Sequence, residues 1–275
     1  MLTWGRAVVA AREHGLSILA PSWVQPRLGG ILRRERVNRL YLREFNSTGY
    51  VNGLCRLAIL VAFRKESEER VVACLHSSSR AVIVFEGLRN YFRDIWHDHA
   101  LIHEELLKIA SPVILEKLQA VTEPFIAMHI RRGDIATPGF SEEQLLADKR
   151  YTPSSWYAAA AKAIQADSRW KGLPIFVVSD GRESELIEVL SLPNCRFVTQ
   201  GTAIGDILLL SRARLLLASA HSTFSMWGSY LGRIPTIYFP GKMDQNVFPP
   251  GSEIFEGEWA HGQQLPRPNP EKLKF

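Results

Sequence analysis

From Glu123 onward the sequence alternates between short apolar runs and amphipathic stretches, and no other feature limits the fold as tightly. The runs "PFIAMHI", "PIFVVSD", "RFVTQ", "LLLAS" and "PTIYF" have the length and composition of strands. Between them lie "PSSWYAAAAKAIQA", with Pro153 at a helix start, then "ESELIEVL", "GDILLLSRA" and "FSMWGSYLG", all of which read as helices. The strands are apolar throughout instead of alternating, so both of their faces must be covered. This predicts an α/β domain built on a doubly wound parallel sheet.

The preceding part is less regular. "TWGRAVVAAREHG" places Trp4, Ala7, Val8 and Ala11 at helical spacing and ends at Gly15, a residue suited to the left-handed position after a helix. "LSILAPSW" reads as a short strand stopped by proline, "CRLAILVAF" fits helix or strand, and "RAVIVFEG" reads as a strand closed by Gly87. In "RDIWHDHALIHEELLKIA" a helical stripe runs through Ile95, Ile102, Leu106 and Ile109. Ser111 and Pro112 suit the N-cap and first residue of the next helix. A helix followed by a strand is the second half of a βαβ unit, whose first strand the sequence does not contain. The expected organisation is an incomplete N-terminal domain over 1–115, a nucleotide-binding domain over 116–250, and a loose, proline-rich tail over 251–275.

In such a sheet ligands bind outside the carboxyl ends of the strands. Three strand ends carry polar clusters, "HIRRGD", "SDGRE" and "SAHSTFS", which would line one rim. Arg131 and Arg132 offer planar forks of donors that match phosphate oxygens. Alternation along a strand sends neighbours to opposite faces, and Gly133 permits a turn that would bring the two together. A surface arginine pair with Asp134 as counter-ion is the plain alternative. Ser222, Thr223 and Ser225 open a helix, where unpaired amides and the helix dipole favour an anion, or where a hydroxyl simply caps the helix. Phe224 and Trp227 suit the core or the flank of a flat base. Asp180 suits a ribose or base contact, or a helix cap.

Composition narrows the partners. Three cysteines with wide spacing and no CxxC pair argue against a disulfide framework or a zinc site. No carboxylate pair has metal-ligand spacing, so no metal cofactor is expected. The formal net charge of +5 suits an anionic small ligand, and no nucleic-acid partner is expected. The first residues lack a signal peptide's layout, which predicts a cytoplasmic protein. "LRRERVNRLYLRE", with Arg33, Arg34, Arg36, Arg39 and Arg43, reads as a solvated face or as a contact for the inner membrane surface.

"HIRRGD" resembles the HxRRxD motif of fucosyltransferases that make α-1,2, α-1,6 and protein O-linked fucose. "ASAHSTFSMWGSYLG" is similar to the S-S/T-F-S-x-W-G-x-x-L segment of the α-1,2 group, and "IFVVSD" resembles the strand between the two motifs. The resemblance covers roughly residues 80 to 240. It implies a GT-B-like fold of two Rossmann-type domains, a GDP-fucose donor bound without metal, and inverting transfer to a hydroxyl of a glycan acceptor. It also implies that Arg131 and Arg132 hold the β-phosphate while Asp134 orients them. His129, Asp180, Ser222, Thr223, Phe224 and Ser225 would line the donor site. The chain departs from the family at its start, where members have a strand and a glycine-rich turn, and at His221, where a smaller residue is usual. A non-catalytic nucleotide-sugar-binding relative and a transferase using another GDP-sugar are the other readings.

Overall fold

The computed structural model describes residues 1–22, 41, 44–77, 80–133, 135 and 141–267. Asp134 and the arginines of the 33–43 stretch lie outside the described residues, and so do the roles expected of them. The described residues form two compact units that part between Ser111 and Pro112.

In the first unit α1 (Leu2–His14) ends as its sequence predicts, with Gly15 at φ 64. Its buried Trp4 donates to Tyr50 Oη at 3.0 Å, and its buried Arg6 pairs with Glu68 at 2.9 Å. The stretch that fits helix or strand is α2 (Gly53–Ala62). Strands β1 (Arg64–Ser67) and β2 (Ala81–Val84) pair in parallel and flank α3 (Val71–Leu75). The strand expected in "LSILAPSW" is reduced to one parallel bridge, Leu19 to Val51, because Pro21 leaves little extended chain to pair. Of the stripe expected after residue 93, Ile102, Leu106 and Ile109 lie on α4 (His99–Ile109) and are completely buried, while Ile95 is buried in a separate 3-10 turn at Arg93–Ile95.

The second unit opens with α5 (Pro112–Gln119) and holds a parallel sheet of six strands. These are β3 (Ile126–Ile130), β4 (Ile175–Ser179), β5 (Cys195–Phe197), β6 (Leu216–Leu217), β7 (Thr236–Tyr238) and β8 (Glu256–Glu258). Their spatial order is β5-β4-β3-β6-β7-β8. Counted from β3, that is the 3-2-1-4-5-6 order of dinucleotide-binding sheets, whose direction of winding reverses between β3 and β6. The helices are α6 (Glu142–Ala147), α7 (Ser154–Ala166), α8 (Ile187–Leu190), α9 (Ala203–Leu210) and α10 (Thr223–Gly232). Every residue of β3 is buried, as a strand covered on both faces requires. Ile126, Met128 and Ile130 share a core with Trp156, Tyr157, Ala160, Ala161 and Ile164 of α7.

Two expectations are corrected here. "ESELIEVL" is not one helix but a 3-10 turn at Glu183–Glu185 followed by the single turn of α8, because Leu186 between them leaves helical geometry at φ −112 and ψ 1. Residues 251–275 are not a loose tail throughout. Glu256–Glu258 add the sixth strand, Trp259 is buried and accepts the Trp156 indole N–H on its carbonyl at 2.9 Å, and Leu265 joins the core. The burial comes from distant partners, which local composition does not reveal.

Candidate functional site

Three polar clusters end the adjacent strands β4, β3 and β6, so the rim expected from sequence exists and spans the reversal point. Alternation along β3 sends His129 to the face opposite the α7 core, where α10 begins. There His129 Nδ1 lies 2.7 Å from Ser225 Oγ, and its ring stacks on Phe224 with centroids 4.8 Å apart. Burial holds the His129 pKa down at about 4, so the ring is neutral at physiological pH. Ser225 Oγ accepts the Ser219 amide at 3.2 Å. Its own proton is then assigned to Nδ1, which places the ring proton on Nε2.

Arg132 takes the other face. Its guanidinium donates to Ser154 Oγ at 2.9 Å and to the Arg131 carbonyl at 3.1 Å, and lies 5.0 Å from the centre of the Tyr151 ring. The residue is 4% exposed, and among the described residues no carboxylate pairs with it. Ser154 is the first residue of α7, so this buried cation sits at the positive end of a helix dipole. Two of its five N–H donors are engaged among the described residues. Arg131 is half-buried, and its amide donates to Ser219 Oγ at 2.8 Å. The two arginines therefore keep the strand's alternation at least for Arg132, which follows Ile130 to the α7 side.

Asp180 has a use that neither of its expected roles describes. Its Oδ1 accepts the amides of Arg132 at 2.7 Å and Gly133 at 3.0 Å, tying the end of β4 to the turn after β3. A Cβ at position 133 would lie 2.8 Å from Asp180 Oδ2, so the turn closes this tightly only on glycine. Ser222 caps α10, with its hydroxyl accepting the Ser225 amide at 3.4 Å. Thr223 and Phe224 are partly exposed at the first turn, where amides have no carbonyl four residues back. Trp227 is 3% exposed and packs edge-on against Tyr230, which makes it core.

Sequence reasoning missed the residues that lock the clusters together. Ser219 Oγ donates to the His129 carbonyl at 2.8 Å and receives the Arg131 amide. Tyr157 Oη donates to the same carbonyl at 2.8 Å and lies 2.9 Å from Ser219 Oγ, and burial raises its pKa to about 12. Thr152 Oγ1 accepts the Ala220 amide at 3.1 Å. A serine ending an otherwise apolar strand was the one available signal, in "LLLAS". The result is a rigid rim with a buried arginine, two helix N-termini and exposed amides, which is chemistry for holding an anion.

No family model matches the chain, and no curated protein matches it in sequence. Among solved structures it is similar to the fucosyltransferase NodZ from Bradyrhizobium, with a TM-score of 0.56 at 14% identity, covering 86% of this chain and 90% of that one. A selenomethionine form of the same enzyme gives 0.55 at 14%, covering 87% and 90%. NodZ α-1,6-fucosyltransferase soaked with GDP-fucose gives 0.52 at 15%, again covering 87% and 90%. The shared feature is the fold: α/β and GT-B-like, with parallel Rossmann-type sheets.

Proposed function

We propose that the chain is an inverting glycosyltransferase that moves fucose from GDP-fucose to a hydroxyl of a glycan acceptor. The observation that carries this reading is Arg132: a buried guanidinium at the positive end of α7, without a carboxylate among the described residues, just past the end of β3, which flanks the reversal point. A cation held there is stabilised by a bound anion. The β-phosphate of GDP would meet the Arg132 fork and the amides of Thr223 and Phe224. Ser225 and His129, neutral and locked, would shape the floor. The acceptor oxygen would attack C1 of the sugar as the bond from C1 to the β-phosphate breaks, and charge would gather on that phosphate. A prearranged donor aimed at such charge contributes about 3 kcal/mol to the transition state.

GDP-fucose as donor is supported by the "HIRRGD" and "SAHSTFSMWG" segments, and by the fold shared with a fucosyltransferase that was soaked with that donor. The α-1,2 linkage rests on the second segment alone, and the neighbour's α-1,6 linkage is the competing outcome. Metal-independent binding is part of the proposal, because arginine and helix N-termini supply the positive charge. The test is calorimetry with GDP, UDP and ADP, followed by GDP release from GDP-fucose over a panel of glycans, with the product linkage read by NMR. Equal affinity for the three nucleotides would reject the reading. Tight GDP binding with no transfer would leave a nucleotide-sugar-binding protein.

A further inference from the structure

Transfer from GDP-fucose needs a group to take the acceptor's proton, and most titratable side chains of the rim are already engaged. His129 is buried, with Nδ1 on Ser225 and its face on Phe224. Asp180 holds two backbone amides. Tyr157 is buried behind Ser219. His221 is different. It stands one residue before the cap of α10, in the left-handed region at φ 47, with a quarter of its side chain exposed. Its Nδ1 lies 3.3 Å from Asp244 Oδ2, the carboxylate within 4 Å of the ring among the described residues. Nε2 has no hydrogen-bond partner among the described residues.

The two residues that precede Asp244 anchor this part of the loop between β7 and β8. The neighbouring Met243 amide donates to Glu258 Oε1 at 3.2 Å. Lys242 Nζ donates to the carbonyls of Leu146 at 3.2 Å and Asp148 at 3.0 Å. A histidine whose Nδ1 faces a fixed carboxylate presents Nε2 as a proton acceptor, the arrangement by which a base is oriented. We propose that His221, oriented by Asp244, is the general base of the transfer. This rests on the donor-site reading above. The hydroxyl oxygen bonds to C1, the bond between C1 and the β-phosphate oxygen breaks with its electron pair leaving on GDP, and the hydroxyl proton passes to Nε2. The imidazolium is then paired with Asp244 until it releases the proton to solvent.

The test uses the whole chain and GDP-fucose with water as acceptor, read as GDP release, so no glycan need be known. His221→Gly suits the backbone, because glycine adopts a positive φ without strain. It should lower turnover about 100-fold or more, the usual contribution of a general base, while GDP affinity by calorimetry stays within about threefold. Added imidazole should restore about tenfold of the loss in this variant and nothing in the parent. Asp244→Asn should lower turnover by about as much as His221→Gly, because the two act as a unit, with GDP affinity kept. Turnover of His221→Gly near that of the parent would overturn the inference and leave the donor-site reading intact. A parallel loss of GDP affinity would make His221 a phosphate contact and also overturn it. A parent that binds GDP but releases none from GDP-fucose, either with water or with any glycan of the panel, overturns the reading itself, and the inference with it.

Discussion

At the scale of single residues the rim separates two kinds of polar group. Arg132 is buried without a carboxylate among the described residues, whereas Asp180, Ser219 and Ser225 have their hydrogen bonds closed within the rim. Arg132→Ala is expected to weaken GDP binding about 10- to 100-fold, since it removes charge-assisted phosphate contacts. Calorimetry on protein shown by its melting curve to be folded measures this, and an unchanged affinity removes the role. His129 gives a pH effect with a definite sign. Its pKa is about 4 in the folded protein against an ordinary 6.5, so the unfolded chain binds the proton more readily. His129 therefore makes stability fall as pH drops from about 6.5 toward 4. In a His129→Gln variant the dependence of Tm on pH across that window should flatten.

At the scale of elements, α10 is positioned by what it lacks. Gly228 and Gly232 let it approach α9 and the residue after it: a Cβ at 228 would come within 2.7 Å of Leu210 Cβ, and one at 232 within 2.2 Å of the Ser211 carbonyl oxygen. Gly232→Ala should destabilise the protein by about 1 to 3 kcal/mol in urea titration, as overpacking does. It should also weaken GDP binding, because the N-terminus of α10 moves with the helix. Strand β8 has the opposite device, a partly buried carboxylate that holds a loop. Burial raises the Glu256 pKa from an ordinary 4.5 to about 7, so the folded protein holds this proton more tightly than the unfolded chain. Its stabilising share is full below about pH 4.5 and is lost as pH rises toward 7. Glu256→Gln should abolish that slope, and Tm measured from pH 5 to 7.5 in parent and variant checks it.

At the scale of the whole molecule, the proposed function has arginine and helix N-termini supply the positive charge for the donor, so GDP affinity should be the same in excess chelator and in excess magnesium. Calorimetry in the two buffers decides, and binding lost in chelator and restored by magnesium refutes it. No helix among the described residues is long and apolar enough to cross a membrane. How far the sequence carries can be judged from particular segments. Strands β3, β4, β6 and β7 were legible because they are apolar on both faces, and α7, α9 and α10 because of their period and their proline and serine starts, whereas α6 and the polar β8 were not legible. "HIRRGD" and "SAHSTFS" were legible as strand-end polar clusters, since a buried apolar run that stops abruptly at charged or hydroxyl side chains has reached the rim of its sheet. The sequence by itself thus determined the α/β class, the order of most elements of the second unit and the segments that form the rim. Tertiary structure decided which strands are neighbours, and so that β3 and β6 flank the reversal point. It also decided that Asp180 ties a turn, that Ser219 and Tyr157 lock β3 to β6, and that residues after 250 close the sheet. These are contacts between residues 48 to 103 positions apart. Hydrogen bonds and burial at such separations depend on chain topology, and local composition and periodicity do not encode it.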